Sequence, residues 1–401
     1  MKKIILFILV SISLNAQNSD LKINDSKEKL EPKKKKFETI NIRGYAQIRY
    51  NKLLETNPDL GCEQCDKSWG GTNSFFVRRG RIIFSGNVHD RVYFYIQPDF
   101  ASAAGTTNMI FQIRDAYFDL AIDKDKEYRF RIGQSKVPYG FENMQSSQNR
   151  LSLDRNDALN SAVSNERDLG VFFYWASKSK RELMKKLVDD GLKGSGDYGL
   201  LGLGIYNGQT ANRSEANNNQ HIVARFTYPF EFENGQIFET GIQAYKGKYV
   251  IQSKTSSVIT TNNSEYNDER IAASLILYPK PFGFQAEYNI GTGPEYNNLT
   301  NTIDQNNLKG GYALFNYNLK IDNHQIFPFV KYQYYDGGKK HELDARSYKV
   351  NDLEIGIEWQ PIKNFELVAD YTISSRRYED AVLLNNHQKG NLLRLQAQFN
   401  F

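Results

Sequence analysis

Arginine is the residue type whose spacing in this sequence most clearly indicates chemistry. Arg78, Arg79 and Arg81 stand almost side by side, and Arg129 and Arg131 are separated by one residue. The guanidinium group presents its N–H donors in a planar fork that fits phosphate and carboxylate oxygens. Such cations act strongly on ions when they face a narrow aqueous passage with low-dielectric walls. The pattern indicates binding or passage of oxyanions, provided that regular elements direct these side chains inward.

Other kinds of chemistry have little support in the sequence. The five histidines stand at positions 89, 221, 324, 341 and 387, and most of them fall in short turns or at loop edges. No nucleophile, base and acid are arranged as in a hydrolase, and a membrane phospholipase would need a catalytic histidine and serine in context. We therefore predict that the protein is not an enzyme and uses no cofactor. We also expect no nucleic-acid partner, because no segment has the signature of a nucleic-acid-binding fold.

The two cysteines, Cys62 and Cys65, are separated by two residues. In an oxidising compartment a pair this close forms a small disulfide or stays unpaired. A zinc site would need further ligands, and none lies near in sequence. We therefore predict a possible disulfide and no metal site.

Alternation with a period of two is the main structural signal. In the last segment, apolar residues at 393, 395, 397, 399 and 401 alternate with polar residues at 394, 396, 398 and 400. Successive side chains of a strand point to opposite faces, so one face of this strand is apolar and the other is polar. The same pattern recurs along the chain and predicts about sixteen strands. They are expected at 38–53, 74–88, 91–101, 109–123, 127–138, 168–177, 197–208, 221–230, 237–251, 265–279, 283–296, 308–319, 324–337, 346–361, 365–379 and 388–401.

The composition favours a membrane barrel over a soluble β protein. Aromatic residues make up 13% of the chain, with 25 Tyr and 25 Phe, yet the mean hydropathy is only −0.59. A barrel gives this combination because each strand is half lipid-facing and half water-facing. A propeller should show a repeat of about 40–50 residues, which is absent, and a sandwich core would need more aliphatic residues. The predicted fold class is all-β: a transmembrane antiparallel β-barrel, with fourteen or eighteen strands as the alternative counts.

The N-terminal residues precede this barrel. Lys2, Lys3, the apolar stretch 4–14 and Ala16 are typical of a signal peptide over residues 1–16. Residues 17–37 are rich in lysine and are expected to form a periplasmic arm, followed by the barrel at 38–401. An exported barrel of this kind is expected in the bacterial outer membrane. The formal net charge of +5 is too small to identify a partner by itself.

The predicted connections alternate between short and long. The short links at 87–90, 123–126, 279–281 and 362–364 contrast with longer ones at 54–73, 139–167, 252–264 and 297–307. Short periplasmic turns and long external loops are typical of outer-membrane barrels. One link departs from this pattern, because residues 178–196 should be a short turn but contain a helix-like stretch at 181–187. The sequence offers no explanation for that insertion.

Several stretches resemble the phosphate-selective porin O/P family. They are Val77-Arg78-Arg79-Gly80-Arg81-Ile82, Tyr95-Ile96-Gln97-Pro98-Asp99-Phe100-Ala101, Ile113-Arg114-Asp115-Ala116-Tyr117, the Arg131-to-Gly140 run, Glu166-Arg167-Asp168-Leu169-Gly170-Val171, Gly204-Ile205-Tyr206-Asn207-Gly208 and the terminal strand. The resemblance is densest over residues 40–210, and strand spacing extends it to the C-terminus. It implies a sixteen-stranded trimeric porin whose third external loop, here 139–167, folds into the lumen.

The resemblance also implies where the constriction and its anion-binding residues lie. The positions that match are Arg49, Arg78, Arg79, Asp115, Ser146, Ser147 and Arg155. One departure matters, because the family's phosphate-selective members have a lysine just before the serine pair and this chain has Asn143 there. The predicted function is an outer-membrane porin that passes small anions, plausibly phosphate or polyphosphate, through a water-filled channel.

Further charged residues are expected to line the lumen: Arg81, Arg129, Arg131, Lys136 and Arg394. Arg78 has the opposite parity, so it must lie at the strand end above the hydrocarbon band, or the alternation must break there. The expected partners are small anionic solutes, outer-membrane lipid and two further copies of the chain. Two alternatives remain open. Lumenal charges also size the pore in a general, non-selective diffusion porin, and a structural or adhesin barrel would have no transport role.

Overall fold

The computed structural model describes residues 38–65, 69, 74–102 and 109–401. The predicted signal peptide (1–16) and the arm (17–37) lie outside the described residues. No helix in the described part of the chain is both long and apolar enough to cross a membrane.

The described residues form seventeen hydrogen-bonded strands in one sheet. In chain order they are β1 (Glu38–Leu53), β2 (Phe75–His89), β3 (Val92–Ser102), β4 (Met109–Ala121), β5 (Tyr128–Lys136), β6 (Arg167–Trp175), β7 (Leu201–Tyr206), β8 (His221–Glu231), β9 (Ile237–Val250), β10 (Glu265–Leu277), β11 (Phe282–Asn297), β12 (Thr302–Tyr317), β13 (Leu319–Ile321), β14 (His324–Gly338), β15 (Ser347–Ile362), β16 (Phe365–Glu379) and β17 (His387–Asn400).

The sheet is closed, because the first and last strands pair with each other. Tyr45 of β1 lies opposite Asn400 of β17, and Arg49 lies opposite Gln396. β13 continues β12 along the same neighbour, β14, so the two are one strand of the barrel wall. The predicted fold is therefore confirmed as a closed antiparallel barrel of sixteen strands within the described chain.

The two faces of the wall differ as the alternation predicts. Large apolar side chains on one parity are exposed, such as Ile205 (56%), Ile271 (44%) and Ile357 (45%). Side chains of the other parity are buried and are often charged, and Arg225 and Glu239 form a 3.2 Å pair between β8 and β9. An apolar outer face suits lipid, while the polar residues face the interior.

The predicted strand limits are close to the observed ones, with two clear differences. β12 begins at Thr302, where the sequence suggested 308, so the connection after β11 is only residues 298–301. Residues 302–307 are mostly polar on both faces, as is usual for a strand end beyond the hydrocarbon band, and were interpreted as loop for that reason. β7 is shorter than predicted, because residues 197–200 belong to the preceding connection.

Three helices lie in two connections. α1 (Phe141–Met144) and α2 (Asp157–Asn160) belong to the connection between β5 and β6. α3 (Lys178–Asp189) belongs to the connection between β6 and β7, which confirms the helix-like pattern at 181–187. This connection lies at the end of the barrel that carries the short turns 90–91, 122–127 and 363–364.

Candidate functional site

The connection between β5 and β6, residues 137–166, is largely buried although it is not part of the sheet. Gly140 has a φ of +85°, a conformation that glycine adopts at little cost, and it starts the turn into α1. The backbone N–H groups of Phe141 and Glu142 donate to the Glu287 carboxylate of β11, at 2.6 and 2.9 Å. The connection is therefore held by an inward-facing side chain of a strand far from its own in sequence.

Ion pairs fix the same connection to other parts of the wall. Glu142 accepts a 2.7 Å hydrogen bond from Lys331 of β14, and Asp154 pairs with Arg394 of β17. Burial alone would raise the pKa of Asp154, but Arg394 and Arg49 outweigh it and hold that pKa well below its usual range. Both carboxylates therefore act as charged anchors for residues 137–166.

A first cavity, of 370 Å³, lies beside the arginine-rich stretch of β2. Its walls come from β2, β3, β4 and the connection 137–166, with Gln64 and Lys339 from two of the long connections. The arginines that line it are Arg78, Arg79, Arg81, Arg114, Arg150, Arg155 and Arg213. The acids are fewer: Glu63, Asp99, Asp154, Glu166 and Glu342. Cations therefore dominate this cavity.

Three of these arginines, Arg81, Arg114 and Arg155, pair with a carboxylate. Arg81 donates to Asp99 at 2.8 Å, and Arg155 pairs with Glu166 at 2.9 Å. Burial would raise the pKa of Glu166, but Arg155 and its arginine neighbours hold that pKa well below the usual range. These pairs shape the cavity and leave little net charge for a solute.

Two buried arginines of this cavity lack such a partner within the described residues. Arg79 is 5% exposed and donates to the Gln47 side chain at 2.8 Å, with no carboxylate oxygen within 4.0 Å. Arg150 is 6% exposed and donates only to the Leu153 carbonyl, at 3.2 Å. Its Nε and Nη1 atoms are buried without a hydrogen-bond partner. Buried N–H groups of this kind call for an acceptor that the described residues do not supply.

Two β-bulges bring additional arginines to the cavity. Gln47 of β1 pairs with Arg79, but Ile48 pairs with Val77, so Arg78 is the extra residue on β2. A bulge redirects side chains locally and breaks the period of two. This accounts for the parity of Arg78, because the alternation breaks at that residue.

The second bulge lies on β4. Gln97 pairs with Asp115 and Pro98 pairs with Ile113, which leaves Arg114 as the extra residue. Arg114 donates to the Asn165 side chain at 3.1 Å and faces the first cavity. Both bulged residues are arginines, so the irregularities of the wall increase its positive charge at one level.

A second cavity, of 510 Å³, follows on the same strands toward the short-turn end. β3 contributes Asp99 to the first cavity and Tyr95 to the second, while β4 contributes Arg114 to the first and Tyr117 to the second. The connection that contains α3 forms part of the second cavity's wall through Arg181, Lys185, Asp197 and Tyr198. The two cavities thus lie one after the other along a single side of the barrel.

The predicted constriction residues do not lie together: some line the first cavity, some line the second, and two line neither. Arg78, Arg79 and Arg155 line the first cavity, and Asp115 and Ser146 line the second. Arg49 and Ser147 line neither cavity. Arg49 donates to Gln396 at 2.7 Å and to the Leu153 carbonyl at 2.8 Å. The Ser147 hydroxyl lies 2.6 Å from that of Tyr45. The structure therefore does not gather Ser146, Ser147, Arg79 and Arg155 into one cage.

The predicted lumen-lining cations are all buried and all have partners. Arg129 donates to Asp197 at 2.7 Å, and Arg131 is bidentate on Asp119 at 2.7 and 2.9 Å. Lys136 donates to the carbonyls of Met144 and Gln145, each at 2.7 Å. Arg81 pairs with Asp99, and Arg394 pairs with Asp154.

Asn143 lies at the position of the expected lysine, and its side chain forms hydrogen bonds within the connection 137–166 and contacts no cavity. Its amide donates to the carbonyls of Tyr139 at 3.1 Å and Leu159 at 2.8 Å, and the residue is 1% exposed. The side chain ties α1 to α2 and lines neither cavity. Cys62 and Cys65 form a disulfide beside Leu60 and Trp69.

Sequence reasoning did not select Arg43, Arg114 or Arg150 as site residues. Arg114 is redirected by a bulge, which a strict period of two cannot reveal. Arg150 lies in a connection without periodicity, so only the three-dimensional arrangement separates it from its neighbours. Arg43 was detectable, because it shares the parity of Tyr45, Gln47 and Arg49 on β1.

The fold resembles that of known porins. Among solved structures, the outer membrane channel DcaP of Acinetobacter baumannii is 16% identical, with a TM-score of 0.55 over 90% of this chain and 97% of that one. OmpF of Salmonella typhi, solved with daunomycin, is 13% identical, with a TM-score of 0.55 over 91% and 98%. OmpT of Vibrio cholerae in its trimer form is 9% identical, with a TM-score of 0.51 over 90% and 99%. At these identities the likeness concerns the fold alone. No curated protein matches the chain.

The family comparison is more specific. The model of the family described as phosphate-selective porin O and P matches residues 59–401, which is most of the chain and nearly all of the barrel. This confirms the resemblance carried by the arginine-rich strand and its neighbours. It also agrees with a closed sixteen-strand barrel whose outer face is apolar and whose interior is charged. The chain belongs to the phosphate-selective porin O and P family and is a channel protein of the bacterial outer membrane.

Proposed function

We propose that the channel favours small oxyanions, with phosphate or polyphosphate as the solutes that fit best. The observation that carries this proposal is the pair of buried arginines, Arg79 and Arg150, that face one cavity without a carboxylate partner among the described residues. A phosphate in that cavity would supply the acceptors that their N–H groups lack. Charge-assisted hydrogen bonds to arginine are among the stronger polar contacts in proteins.

The proposed route runs along one side of the barrel interior. Residues 137–166 are bonded to Glu287 of β11, Lys331 of β14 and Arg394 of β17, which supports a loop folded inward to narrow the channel. The space left beside β2, β3 and β4 holds the two cavities in succession. A solute would enter the first cavity from the long external connections and leave through the second toward the periplasm.

The arrangement of charges suits transit as well as binding. Arg81 and Arg155 are each paired with an acid, so their charge is largely compensated. Only the unpaired arginines would attract the solute strongly, and conduction needs attraction that is moderate enough for the solute to leave. We therefore expect selective passage with modest affinity.

We also propose that the protein works as a homotrimer. OmpT of Vibrio cholerae, one of the structural neighbours, has a trimer form. The closed barrel of this chain has its own interior route, so each copy would form a separate channel. Light scattering of the detergent-solubilised protein tests this assembly independently of transport.

Bilayer electrophysiology tests the proposed selectivity. We expect the reversal potential in a KCl gradient to show a preference for anions, and added phosphate to reduce the chloride current. Arg79→Gln and Arg150→Gln should each raise the half-blocking phosphate concentration roughly tenfold, because each removes a charge-assisted hydrogen bond of about 1.5–3 kcal/mol. Lys349→Gln is the matched control, because Lys349 is exposed on the outward parity of β15, and this change should leave the block unaltered.

Two outcomes of the same measurement would contradict the proposed selectivity. A large current with little ion preference and no phosphate block would identify a general diffusion porin that keeps the family fold without its selectivity. No measurable conductance in the folded protein would favour a structural barrel.

A further inference from the structure

The second cavity differs in chemistry from the first. Aromatic rings form much of its wall, from Tyr93 and Tyr95 of β3, Tyr117 of β4 and Tyr198 of the connection after α3. Tyr95 and Tyr117 are directly opposite across the two strands, and their rings stack at 5.1 Å with an interplanar angle of 11°. The stack occupies one face of each ring, and the Arg131 guanidinium lies 4.0 Å from the centroid of Tyr117. The remaining face of Tyr95 is therefore the surface that this pair offers to the apolar face of another ring.

The hydroxyl groups of three of these tyrosines form no hydrogen bond with the described part of the chain. Those of Tyr95, Tyr117 and Tyr198 have no hydrogen-bond partner within the described part of the chain, and none is among the buried unsatisfied atoms. Ser146 and Ser195 of the same wall likewise have hydroxyls without a partner in that part of the chain. The cavity therefore combines aromatic faces with several accessible groups that can donate or accept hydrogen bonds.

Several cations of the cavity have no acid partner in the described part of the chain, and Arg43 is the one among them that also donates no hydrogen bond there. Arg43 of β1 lines the cavity and forms neither an ion pair nor a side-chain hydrogen bond with any described residue. The other nearby guanidinium groups are committed, since Arg131 is bidentate on Asp119 and Arg167 donates to Asp115. An anionic group in this cavity would therefore meet Arg43 without competing for an existing ion pair.

The insertion that contains α3 makes this wall rigid. Arg181 donates to Asp197 at 2.9 Å and to the Lys126 carbonyl at 2.8 Å. Lys193 pairs with Glu358 of β15 at 2.5 Å and its carbonyl accepts from Gln145 at 2.6 Å. The insertion thus joins opposite walls of the barrel to the connection 137–166, and it positions Tyr198 at the cavity.

We propose that the second cavity is a binding site for a phosphorylated sugar, whose ring rests on the free face of Tyr95 and whose phosphate meets Arg43. This inference rests on the proposed anion channel, and it names an organic substrate class for it. A sugar ring would satisfy the free hydroxyl groups, whereas a purely aromatic acid would leave them unpaired, which a polar site disfavours. The volume of 510 Å³ is within the range of small-molecule sites.

Current block by three probes tests this site. Glucose 6-phosphate, glucose and inorganic phosphate are added separately to the short-turn side of a bilayer that holds the full-length channel. We expect glucose 6-phosphate to block at a concentration at least tenfold lower than either of the others. Tyr95→Leu and Arg43→Gln should each raise its half-blocking concentration at least fivefold. The control Tyr332→Leu removes an exposed tyrosine on the outer face of β14 and should have no effect.

A second variant and a second measurement keep the outcome unambiguous. Tyr95→Phe keeps the ring and removes the hydroxyl, so it should retain part of the affinity that Tyr95→Leu loses. Calorimetry on the detergent-solubilised protein measures binding of glucose 6-phosphate without relying on ion selectivity. Equal half-blocking concentrations for glucose 6-phosphate and phosphate, in a channel that still prefers anions, would overturn the sugar site and leave the anion channel intact. A channel without ion preference that still binds glucose 6-phosphate would instead overturn the anion proposal alone.

Discussion

Individual charged residues in this barrel fall into two groups with different consequences. Asp154 is the clearest member of the first group, because it joins Arg394 and Arg49 of the wall to the connection 137–166. Arg79 and Arg150 form the second group, which has no carboxylate partner among the described residues and is proposed to bind the solute. Substitutions in the first group should therefore act on stability, and those in the second on transport.

Asp154→Asn tests the stabilising role. The change removes the carboxylate that pairs with both Arg394 and Arg49, and the buried Arg394 keeps its 3.5 Å pair with Asp370. Removing one member of a buried pair typically costs about 3–5 kcal/mol. We expect the free energy of unfolding to fall by about that amount, measured by urea titration of the protein in detergent with intrinsic fluorescence. Asp322→Asn, in an exposed turn, is the control and should change little.

The same variant gives a pH dependence of defined sign. The arginines hold the pKa of Asp154 well below its usual range in the folded protein, despite burial that would raise it. Its contribution to stability is therefore present above the unfolded-state pKa of about 3.9 and is lost as the pH falls through the folded-state pKa. The stability difference between wild type and Asp154→Asn should shrink below about pH 4. A difference that stayed constant would show that this carboxylate is not the titrating group.

At the scale of elements, strands were predictable and their irregularities were not. The period of two located the barrel strands, because lipid on one side and polar groups on the other impose it at every pair of residues. The bulges at Arg78 and Arg114 depend on how neighbouring strands pair. The residue pattern of a single strand does not contain this information. For the same reason the anchoring of residues 137–166 by Glu287 and Lys331 could not be read from the sequence.

The insertion after β6 is the element whose role can be tested most directly. Leu183 and Leu187 of α3 pack with Ile237 and Ile276 of the wall, so the helix is part of the folded interior. Trp175 and Leu201 are paired neighbours, which allows a short turn to replace residues 177–199. We expect this replacement to increase single-channel conductance, because it removes one wall of the second cavity. It should also lower the stability of the connection 137–166, which loses the bond from Gln145 to Lys193.

A matched control distinguishes the effect of removing the insertion on conductance from the effect of losing the charges on its surface. Glu182→Gln with Lys186→Gln neutralises two exposed residues of α3 that line neither cavity, without altering the packing of the helix. This double variant should conduct much like the wild type. A shortened channel with unchanged conductance would mean that the insertion lies outside the route of ions.

The whole molecule is asymmetric in cross-section. Buried ion pairs such as Asp157 with Arg376 and Lys331 with Glu142 fill the side bounded by β14 to β16. Both cavities lie beside β2 to β4. In the proposed function, the long connection occupies part of the interior and leaves a cation-lined route beside these strands.

Salt concentration is the variable that tests how this charge acts over the whole route. Interactions between solvated charges are screened beyond about 10 Å at 0.1 M ionic strength and beyond about 3 Å at 1 M. If the field of several arginines attracts anions along the route, the anion-to-cation permeability ratio should fall toward one as mean KCl rises from 0.1 to 1 M. Reversal potentials in fixed-ratio gradients measure this directly. A ratio that is independent of salt would instead place selectivity in close contacts at Arg79 and Arg150, whose partly desolvated N–H groups are screened far less.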